Sequence, residues 1–206
     1  MNGIENLIAR NLLKIEAIKF NFDEPFTWTS GIKSPVYCDN RMSLSYPEIR
    51  SLVKDAYVKT IQDNFPDVEL IAAVATGGIA QGALVADITN LPLVYIRDKA
   101  KEFGLKKSIE GTFRKGQKTV ILEDLVSTGK SSLLALDALR NAEAEVLGMV
   151  ATISYELPVA KKQFMDKNCK LFTLSSFSIL VEEALNIGYI TKEEADQLDQ
   201  WHKSIV

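Results

Sequence analysis

Residues 120–132 read VILEDLVSTGKSS, the most informative segment of the chain. An apolar and β-branched run over residues 119–122 leads into two acids, Glu123 and Asp124. Two hydroxyls, a glycine, a lysine and two serines follow, and leucines then recur at helical spacing from Leu133 to Leu139. A strand, a short polar turn and a helix in this order are typical of an anion-binding loop, because the amides of the turn and of the helix N-terminus point at one place.

The end of this segment matches a nucleotide-binding P-loop only in part. Gly129, Lys130 and Ser131 fit the end of G-x-x-x-x-G-K-[ST], but Asp124 occupies the position of the first glycine. A carboxylate there would repel a triphosphate. Two acids beside a phosphate cradle instead suit ribose 5-phosphate, because carboxylates accept hydrogen bonds from vicinal hydroxyls. An ordinary polar turn between a strand and a helix is the alternative.

Length and composition predict one soluble domain spanning residues 1–206. Hydrophobic residues make up 47% of the chain, and the net charge of −3 does not favour a nucleic-acid partner. We expect no membrane association, because no apolar run is long enough to cross a bilayer and the N-terminus lacks a signal-peptide core. Cys38 and Cys169 lie far apart and predict two free, buried thiols in a cytoplasmic protein.

The chain has one histidine, His202. This count excludes a Ser-His-Asp triad and a histidine-rich zinc site in the body of the fold. We expect His202 to cap the end of the last helix, where a cation is favourable. The chemistry of this protein therefore has to proceed without histidine.

Alternating strand and helix patterns predict an α/β fold, a parallel sheet with helices on both faces. Predicted strands cover residues 70–75, 92–96, 119–122, 146–153 and 170–174, and predicted helices cover residues 47–64, 79–89, 131–141 and 159–166. Ser45 with Glu48 and Thr191 with Glu194 have the spacing of capping boxes at helix starts. Residues 26–42 lack clear periodicity and predict irregular structure over an edge of the sheet.

Two further segments have the composition of ligand loops. Residues 73–82 read AVATGGIAQG, in which Thr76, Gly77 and Gly78 separate a strand from a helix and leave amides free for an anion. A simple turn is an equal alternative. Residues 95–111 read YIRDKAKEFGLKKSIEG, which crowds five cations between a strand and a glycine. This run is either a solvated loop or a mobile lid whose cations, Arg97 and Lys101 among them, neutralise a leaving diphosphate.

These segments resemble motifs of one enzyme family. VILEDLVSTGKSS is similar to the motif with which type I phosphoribosyltransferases bind phosphoribosyl diphosphate (PRPP). R-x-x-x-K-x-x-G followed by I-E-G resembles the lid of the orotate phosphoribosyltransferases, and TSGIKSPVYCDNR over residues 29–41 resembles their orotate pocket. The motifs follow one another in the family's order across most of the chain.

The resemblance implies a fold, an activity and partners. The fold is the type I phosphoribosyltransferase sheet with a small hood built from both ends of the chain, and residues 1–45 contribute to a base-binding hood. The enzyme is a pentosyltransferase that converts PRPP and orotate to orotidine 5'-monophosphate and diphosphate in pyrimidine (UMP) biosynthesis. Mg²⁺ is implied, held mainly by PRPP and water rather than by the protein. A homodimer in which the lid acts on the neighbouring site is implied too.

The resemblance also assigns roles to individual residues. It implies catalytic roles for Lys101, Arg97 and Asp124 and orotate binding by Ser127, Lys33 and Tyr37. PRPP-binding positions are Thr76, Gly77, Gly78, Arg97, Lys101, Phe103, Glu123, Asp124, Leu125, Val126, Ser127, Thr128, Gly129, Lys130 and Ser131. Another PRPP-dependent base phosphoribosyltransferase and a non-catalytic regulator on the same fold are the two alternatives.

The chain departs from the family's pattern at four places. Phe103 stands where the lid usually has a histidine, Thr29 where many relatives have a lysine, and Gly77 where the diphosphate loop often has a lysine. No arginine follows the fourth strand, which runs into Ser154, Tyr155 and Glu156. These departures leave the cation for the orotate carboxylate unassigned.

Overall fold

A computed structural model describes residues 2–28, 30–97 and 108–205. Its α-helices are α1 (Asn2–Lys14), α2 (Pro47–Asn64), α3 (Gly77–Thr89), α4 (Lys130–Asn141), α5 (Pro158–Asp166), α6 (Phe177–Asn186) and α7 (Lys192–Ser204). Its strands are β1 (Ile18–Phe20), β2 (Phe26–Thr27), β3 (Lys33–Ser34), β4 (Val36–Cys38), β5 (Leu70–Val74), β6 (Leu93–Ile96), β7 (Ile109–Glu110), β8 (Lys118–Val126), β9 (Glu145–Ser154) and β10 (Leu171–Ser176). A 3-10 helix covers Asn40–Ser45.

The central sheet has the strand order β10-β9-β8-β5-β6-β7. All neighbours are parallel except β7, which pairs antiparallel with β6 at the edge. The predicted α/β fold is thereby confirmed, and the predicted strands and helices end within two residues of the observed ones except at β8. Strand β8 continues four residues beyond the predicted end at Leu122, because β9 supplies partners as far as Val126 and Ser154.

Helices cover both faces of the sheet, because the central strands are apolar on both sides. Ile71, Val120 and Val150 belong to a core that α1, α2, α3, α6 and α7 cover. Their neighbours Ala72 and Ile121 point to the opposite face, where α4 and α5 pack. This three-layer arrangement brings the carboxyl ends of the parallel strands to one edge, where ligands bind in open α/β sheets.

Residues 18–45 lie against the sheet and are called the hood below. The segment predicted to be irregular, residues 26–42, contains β2, β3 and β4 and the start of the 3-10 helix. Strand β2 pairs antiparallel with β3, and β4 pairs antiparallel with β1, which precedes this segment. Helix α7 fastens the hood, because Trp201 Nε1 donates a hydrogen bond of 2.8 Å to the carbonyl of Lys33. The predicted capping role of His202 is wrong. Its ring stacks on Phe177, and its Nε2 donates over 2.7 Å to the carbonyl of Tyr155.

One of the two predicted capping boxes quoted above is present. Thr191 and Glu194 exchange hydrogen bonds at the start of α7. The box at Ser45 is wrong, because Ser45 ends the 3-10 helix and α2 begins after Tyr46 without a side-chain cap. Cys38 and Cys169 are free and buried, as predicted. Over the described ranges, no helix combines the length and the hydropathy needed to cross a membrane.

Candidate active site

Two loops meet at the carboxyl edge of the sheet, one after β5 and one after β8. Strand β5 ends at Val74, and a cis peptide joins Ala75 to Thr76 before α3 begins at Gly77. A Cβ atom added to Gly77 would lie 2.7 Å from both the Cβ and the Oδ2 atoms of Asp124. A Cβ at Gly78 would lie 2.8 Å from the carbonyl of Leu122. The predicted diphosphate loop therefore packs directly against the acid pair of β8.

The two acids face different surroundings. Glu123 is 5% exposed, and its Oε2 accepts a hydrogen bond of 2.8 Å from the buried hydroxyl of Ser132 while its Oε1 accepts from the amide of Asp124. Asp124 is half-buried beside the Gly77 loop. Glu123 therefore ties the strand to the first turn of α4, and Asp124 has the more accessible carboxylate. Ribose binding by either acid stays a prediction.

Burial raises the pKa of Asp124 to about 6, chiefly because the carboxylate loses water. The Asn40 side chain and the positive charge of Arg41 oppose this rise, and the negative charge of Asp39 adds to it. A carboxylate that is partly desolvated and only partly compensated binds hydroxyl donors more strongly than one in water. Asp124 thus has the electrostatic setting of a ligand-binding acid.

The predicted phosphate cradle follows β8. Gly129 adopts a left-handed conformation with φ of 83° and precedes α4, whose first residue is Lys130. No side chain of the described residues caps this helix start, so the first-turn amides after Ser127 and Thr128 lack partners within the helix. Leu125 is half-buried and Val126 is fully buried within β8, and PRPP binding at these two positions stays a prediction. The exposed Lys130 side chain lines a surface cavity between α4 and α5.

Of the predicted lid, the structure describes only its two ends. Arg97 and Ser108 close the base of this segment through a backbone hydrogen bond of 2.8 Å. The Arg97 guanidinium lies 3.5 Å from Glu110 and shares a small cavity with Ser131 of α4. Its buried Nη2 atom has no hydrogen-bond partner among the described residues. Lys101 and Phe103, like the rest of residues 98–107, lie outside the described residues, as does Thr29.

The predicted orotate-binding residues Lys33 and Tyr37 are exposed on the hood. The Lys33 ammonium donates a hydrogen bond of 2.6 Å to the hydroxyl of Thr27, and the Tyr37 ring packs on Phe26 with centroids 5.5 Å apart. Tyr155, which follows β9 in the run without an arginine, is 1% exposed and packs on Trp28 at 4.3 Å between ring centroids. Tyr155 therefore belongs to the core on which the hood packs.

Several residues at this site were not predicted from the sequence. Asn40 donates a hydrogen bond of 3.0 Å to the carbonyl of Asp124, and the hydroxyl of the buried Tyr57 donates over 2.6 Å to the carbonyl of Glu123. Arg41 pairs with Asp39 at 2.7 Å, is about half exposed, and lies close enough to Asp124 for the two charges to interact. The hood therefore places a cation near the acid pair.

Comparison with known proteins decides the family. The phosphoribosyl transferase domain matches residues 44–186, which include both loops and both acids. The orotate phosphoribosyltransferase of Porphyromonas gingivalis is 50% identical over 204 residues, 99% of this chain and 97% of that one. The chain belongs to the orotate phosphoribosyltransferase family. This assignment confirms the prediction, made from the three motifs, of an orotate phosphoribosyltransferase, which is a pentosyltransferase.

Solved structures agree with the orotate phosphoribosyltransferase fold. Leishmania donovani UMP synthase aligns over 98% of this chain with a TM-score of 0.83 and 27% identity, and this chain spans 42% of that longer protein. The orotate phosphoribosyltransferase of Aeropyrum pernix aligns over 89% of this chain and 99% of its own, with a TM-score of 0.78 and 24% identity. The latter likeness concerns the fold alone.

The site fits a Mg²⁺ ion that is held mainly by its substrate. The described ranges contain no group of three or more histidine, cysteine or acidic residues that could hold a metal. Mg²⁺ keeps several waters and commonly binds through substrate phosphates with few protein ligands. An ion carried in by PRPP is therefore compatible with this donor set.

Proposed function

We propose that this chain transfers the ribose 5-phosphate group of PRPP to orotate and releases diphosphate. The observation that carries the proposal is the packing of the Gly77 loop against Asp124, where an added Cβ would be only 2.7 Å from the carboxylate. PRPP has a diphosphate on C1 and hydroxyls on C2 and C3, so it needs an anion loop beside a carboxylate. The 50% identity to the Porphyromonas gingivalis enzyme supports orotate as the base.

In this proposal each part of PRPP has its own binding element. Asp124 accepts hydrogen bonds from the ribose hydroxyls, and Glu123 holds the strand and α4 together beneath them. The amides and hydroxyls of residues 127–131 bind the 5-phosphate at the N-terminus of α4. Amides of Thr76, Gly77 and Gly78 bind the diphosphate. The start of α3 at Gly77 supports this last role, because the first-turn amides of a helix have no partners within the helix.

The reaction breaks the bond between C1 and a diphosphate oxygen and forms a bond from C1 to a ring nitrogen of orotate. The transition state has oxocarbenium character, as in glycoside hydrolysis. Orotate is already an anion, so no strong protein base is required. Arg97 and Lys101 neutralise the growing charge on the diphosphate, and closure over the site excludes the water that would hydrolyse PRPP. The buried Nη2 atom of Arg97, which has no hydrogen-bond partner in the part of the chain that the structure describes, supports its part in this proposal.

The hood forms the base pocket in this proposal. Tyr37 offers a ring edge and face for the pyrimidine, Lys33 offers a cation, and Ser127 contacts the base beside the anomeric carbon. The exposed positions of Lys33 and Tyr37 on the hood support access to a ligand. Mg²⁺ would supply charge neutralisation of the diphosphate while bound to PRPP and water.

The assembly and setting of the enzyme belong to the same proposal. We expect one domain over residues 1–206, in which the hood covers the base. We expect a cytoplasmic homodimer in which each lid acts on the neighbouring site, within the route to UMP. A sedimentation equilibrium experiment measures the dimer. A mixed dimer of Lys101→Ala and Asp124→Asn chains tests the lid exchange. If each lid acts on the neighbouring site, the intact lid of one chain meets the intact Asp124 of the other, and one active site should be restored.

One assay tests the activity. The protein is incubated with PRPP, Mg²⁺ and orotate, uracil, adenine or hypoxanthine in turn, and diphosphate release is measured. We expect turnover with orotate. Turnover with a purine alone would favour another phosphoribosyltransferase, and PRPP binding without turnover would favour a regulator.

A matched pair of lid variants tests the role of the cations. Lys101→Ala should lower kcat far more than PRPP affinity, because the charge it neutralises peaks in the transition state. Lys106→Ala removes the same charge from the same run and should leave kcat nearly unchanged. A wild-type kcat in Lys101→Ala as well as in Lys106→Ala would mean that the run is only a solvated loop.

A further inference from the structure

The acid pair lies where β8 has lost one of its neighbouring strands. Pairing of β5 with β8 ends at Ala73 and Leu122, whereas β9 pairs with β8 as far as Val126. Residues 123–126 of β8 therefore lack a strand on the β5 side, and buried side chains contact their backbone there. Tyr57 donates to the carbonyl of Glu123, and Asn40 donates to the carbonyl of Asp124.

The orientation of the Asn40 side chain is determined by its neighbours. Asn40 is 3% exposed, and its Oδ1 lies 2.9 Å from the Sγ atom of Cys38. Burial and the nearby charge of Asp124 raise the pKa of the Cys38 thiol well above its ordinary value, so the thiol stays protonated and donates. The amide oxygen therefore faces Cys38, and the NH₂ group faces Asp124 at 3.0 Å.

We propose that Asn40 is a positioning residue that holds the backbone of Asp124, and with it the Asp124 carboxylate, in place for PRPP. This inference rests on the proposed function. Asn40 follows β4, which contains Tyr37, so one amide connects the base-facing hood to the ribose-binding acid. Substrate contacts on the hood would then be transmitted to the ribose site through a buried side chain rather than through solvent.

The charges that face Asp124 define how the proposal is tested. Asp39 and Arg41 flank Asn40 and act in opposite directions, and Glu123 lies next to Asp124 in the strand. Cys38 and Tyr57 stay neutral because burial raises the pKa of each well above its ordinary value. The loop that begins α3 places Gly77, which has no charge, against the carboxylate. Asn40 is thus the neutral donor on this side, and its loss should raise the pKa of Asp124.

Two variants remove the donor in different ways. Asn40→Asp keeps the shape but adds a negative charge beside Asp124, and Asn40→Leu removes the donor without adding charge. Tyr57→Phe is the matched control, because it deletes an equally buried hydrogen bond to the adjacent carbonyl without touching the Asp124 carboxylate. Melting temperatures of all variants are measured to identify any that lose the fold.

The dissociation constant of PRPP with Mg²⁺ is measured by calorimetry between pH 5 and 9, without base. We expect both Asn40 variants to bind PRPP about tenfold more weakly at pH 7, the upper end for one lost hydrogen bond to a neutral carbonyl. The pH below which PRPP affinity falls, called the acid limb, should be higher in both variants than in the wild type. The increase should be larger in Asn40→Asp. Tyr57→Phe should melt earlier with the wild-type pH profile.

Wild-type affinity and an unmoved acid limb in both Asn40 variants would overturn the proposal. If Asn40→Leu does not fold, Asn40→Asp alone decides it through the same two quantities. A wild-type protein that binds PRPP but does not turn over orotate would refute the proposed activity and leave this test intact. The two failures are therefore distinguishable.

Discussion

Gly77→Ala should displace Asp124, the acid proposed to bind the ribose, without unfolding the protein. The three nearest atoms to the added Cβ all belong to Asp124, at 2.7, 2.7 and 3.0 Å. Non-bonded carbon atoms normally approach to about 3.5–4.0 Å, so the carboxylate has to move by about 1 Å. A misplacement of about 1 Å in a catalytic site costs about a hundredfold, roughly 2.7 kcal/mol. We therefore expect kcat/KM for PRPP to fall by about two orders of magnitude.

Gly82→Ala is the matched control for this variant. The added Cβ would lie 2.8 Å from the Cβ of Ala73, an equally close contact further along the same helix but inside the core. It should lower the free energy of unfolding by about 1–3 kcal/mol and leave kcat/KM of the folded enzyme unchanged. Gly77→Ala has no positive φ to strain and gains helix propensity, so its melting temperature should barely change. Wild-type kcat/KM in Gly77→Ala would refute the reasoning.

Three further variants test the charges and hydrogen bonds of the fold. Asp124→Asn should weaken PRPP binding yet stabilise the protein, because the raised pKa of about 6 against 3.8 means that ionisation of Asp124 opposes folding. This penalty is absent below pH 3.8, grows up to pH 6 and reaches about 3 kcal/mol above it as an upper estimate. Chemical denaturation at pH 4 and 8 measures it, and equal stabilisation at both would contradict it. Ser132→Ala should lower the free energy of unfolding by about 1–3 kcal/mol and weaken PRPP binding, because Glu123 loses a buried hydrogen-bond donor. An unchanged dissociation constant for PRPP would show that this hydrogen bond does not affect the site. Glu183→Gln should destabilise the fold at neutral pH and leave kcat unchanged, because hydrogen bonds from Asn6 and Arg10 lower the pKa of Glu183 below 4.5. The contribution of Glu183 to stability is therefore present above pH 4.5 and is lost as the pH falls through the lowered pKa. A loss of stability that persists at low pH would contradict this prediction.

Much of the fold could be predicted because the central strands are apolar on both faces. Runs such as residues 70–75 and 146–153 can be buried only in a covered parallel sheet. The short pairs of the hood could not be predicted, because strands of two or three residues have no visible period. The end of β8 was missed because two acids look like the start of a loop, whereas pairing with β9 carries them as strand.

Some residues of the candidate site could be predicted from the sequence, and others could be found only in the structure. The acids, the glycine turns and Arg97 lie in contiguous motifs whose chemistry can be recognised from residue types alone. Asn40 acts on Asp124 across 84 positions and has no signal of its own in the sequence. Ser132 was quoted within the motif, but only the fold reveals that its hydroxyl faces Glu123 rather than a ligand.

Contacts between the two ends of the chain have a consequence for folding kinetics. Trp201 bonds Lys33 across 168 positions, and Asn6 bonds Glu183 across 177. Contacts of such large sequence separation require closure of long loops and form late. During refolding, far-ultraviolet circular dichroism should therefore recover before catalytic competence does. The hood has strand pairs of only two or three residues and is fastened by the exposed bond from Trp201, so its amide hydrogens should exchange faster than those of β5, β8 and β9.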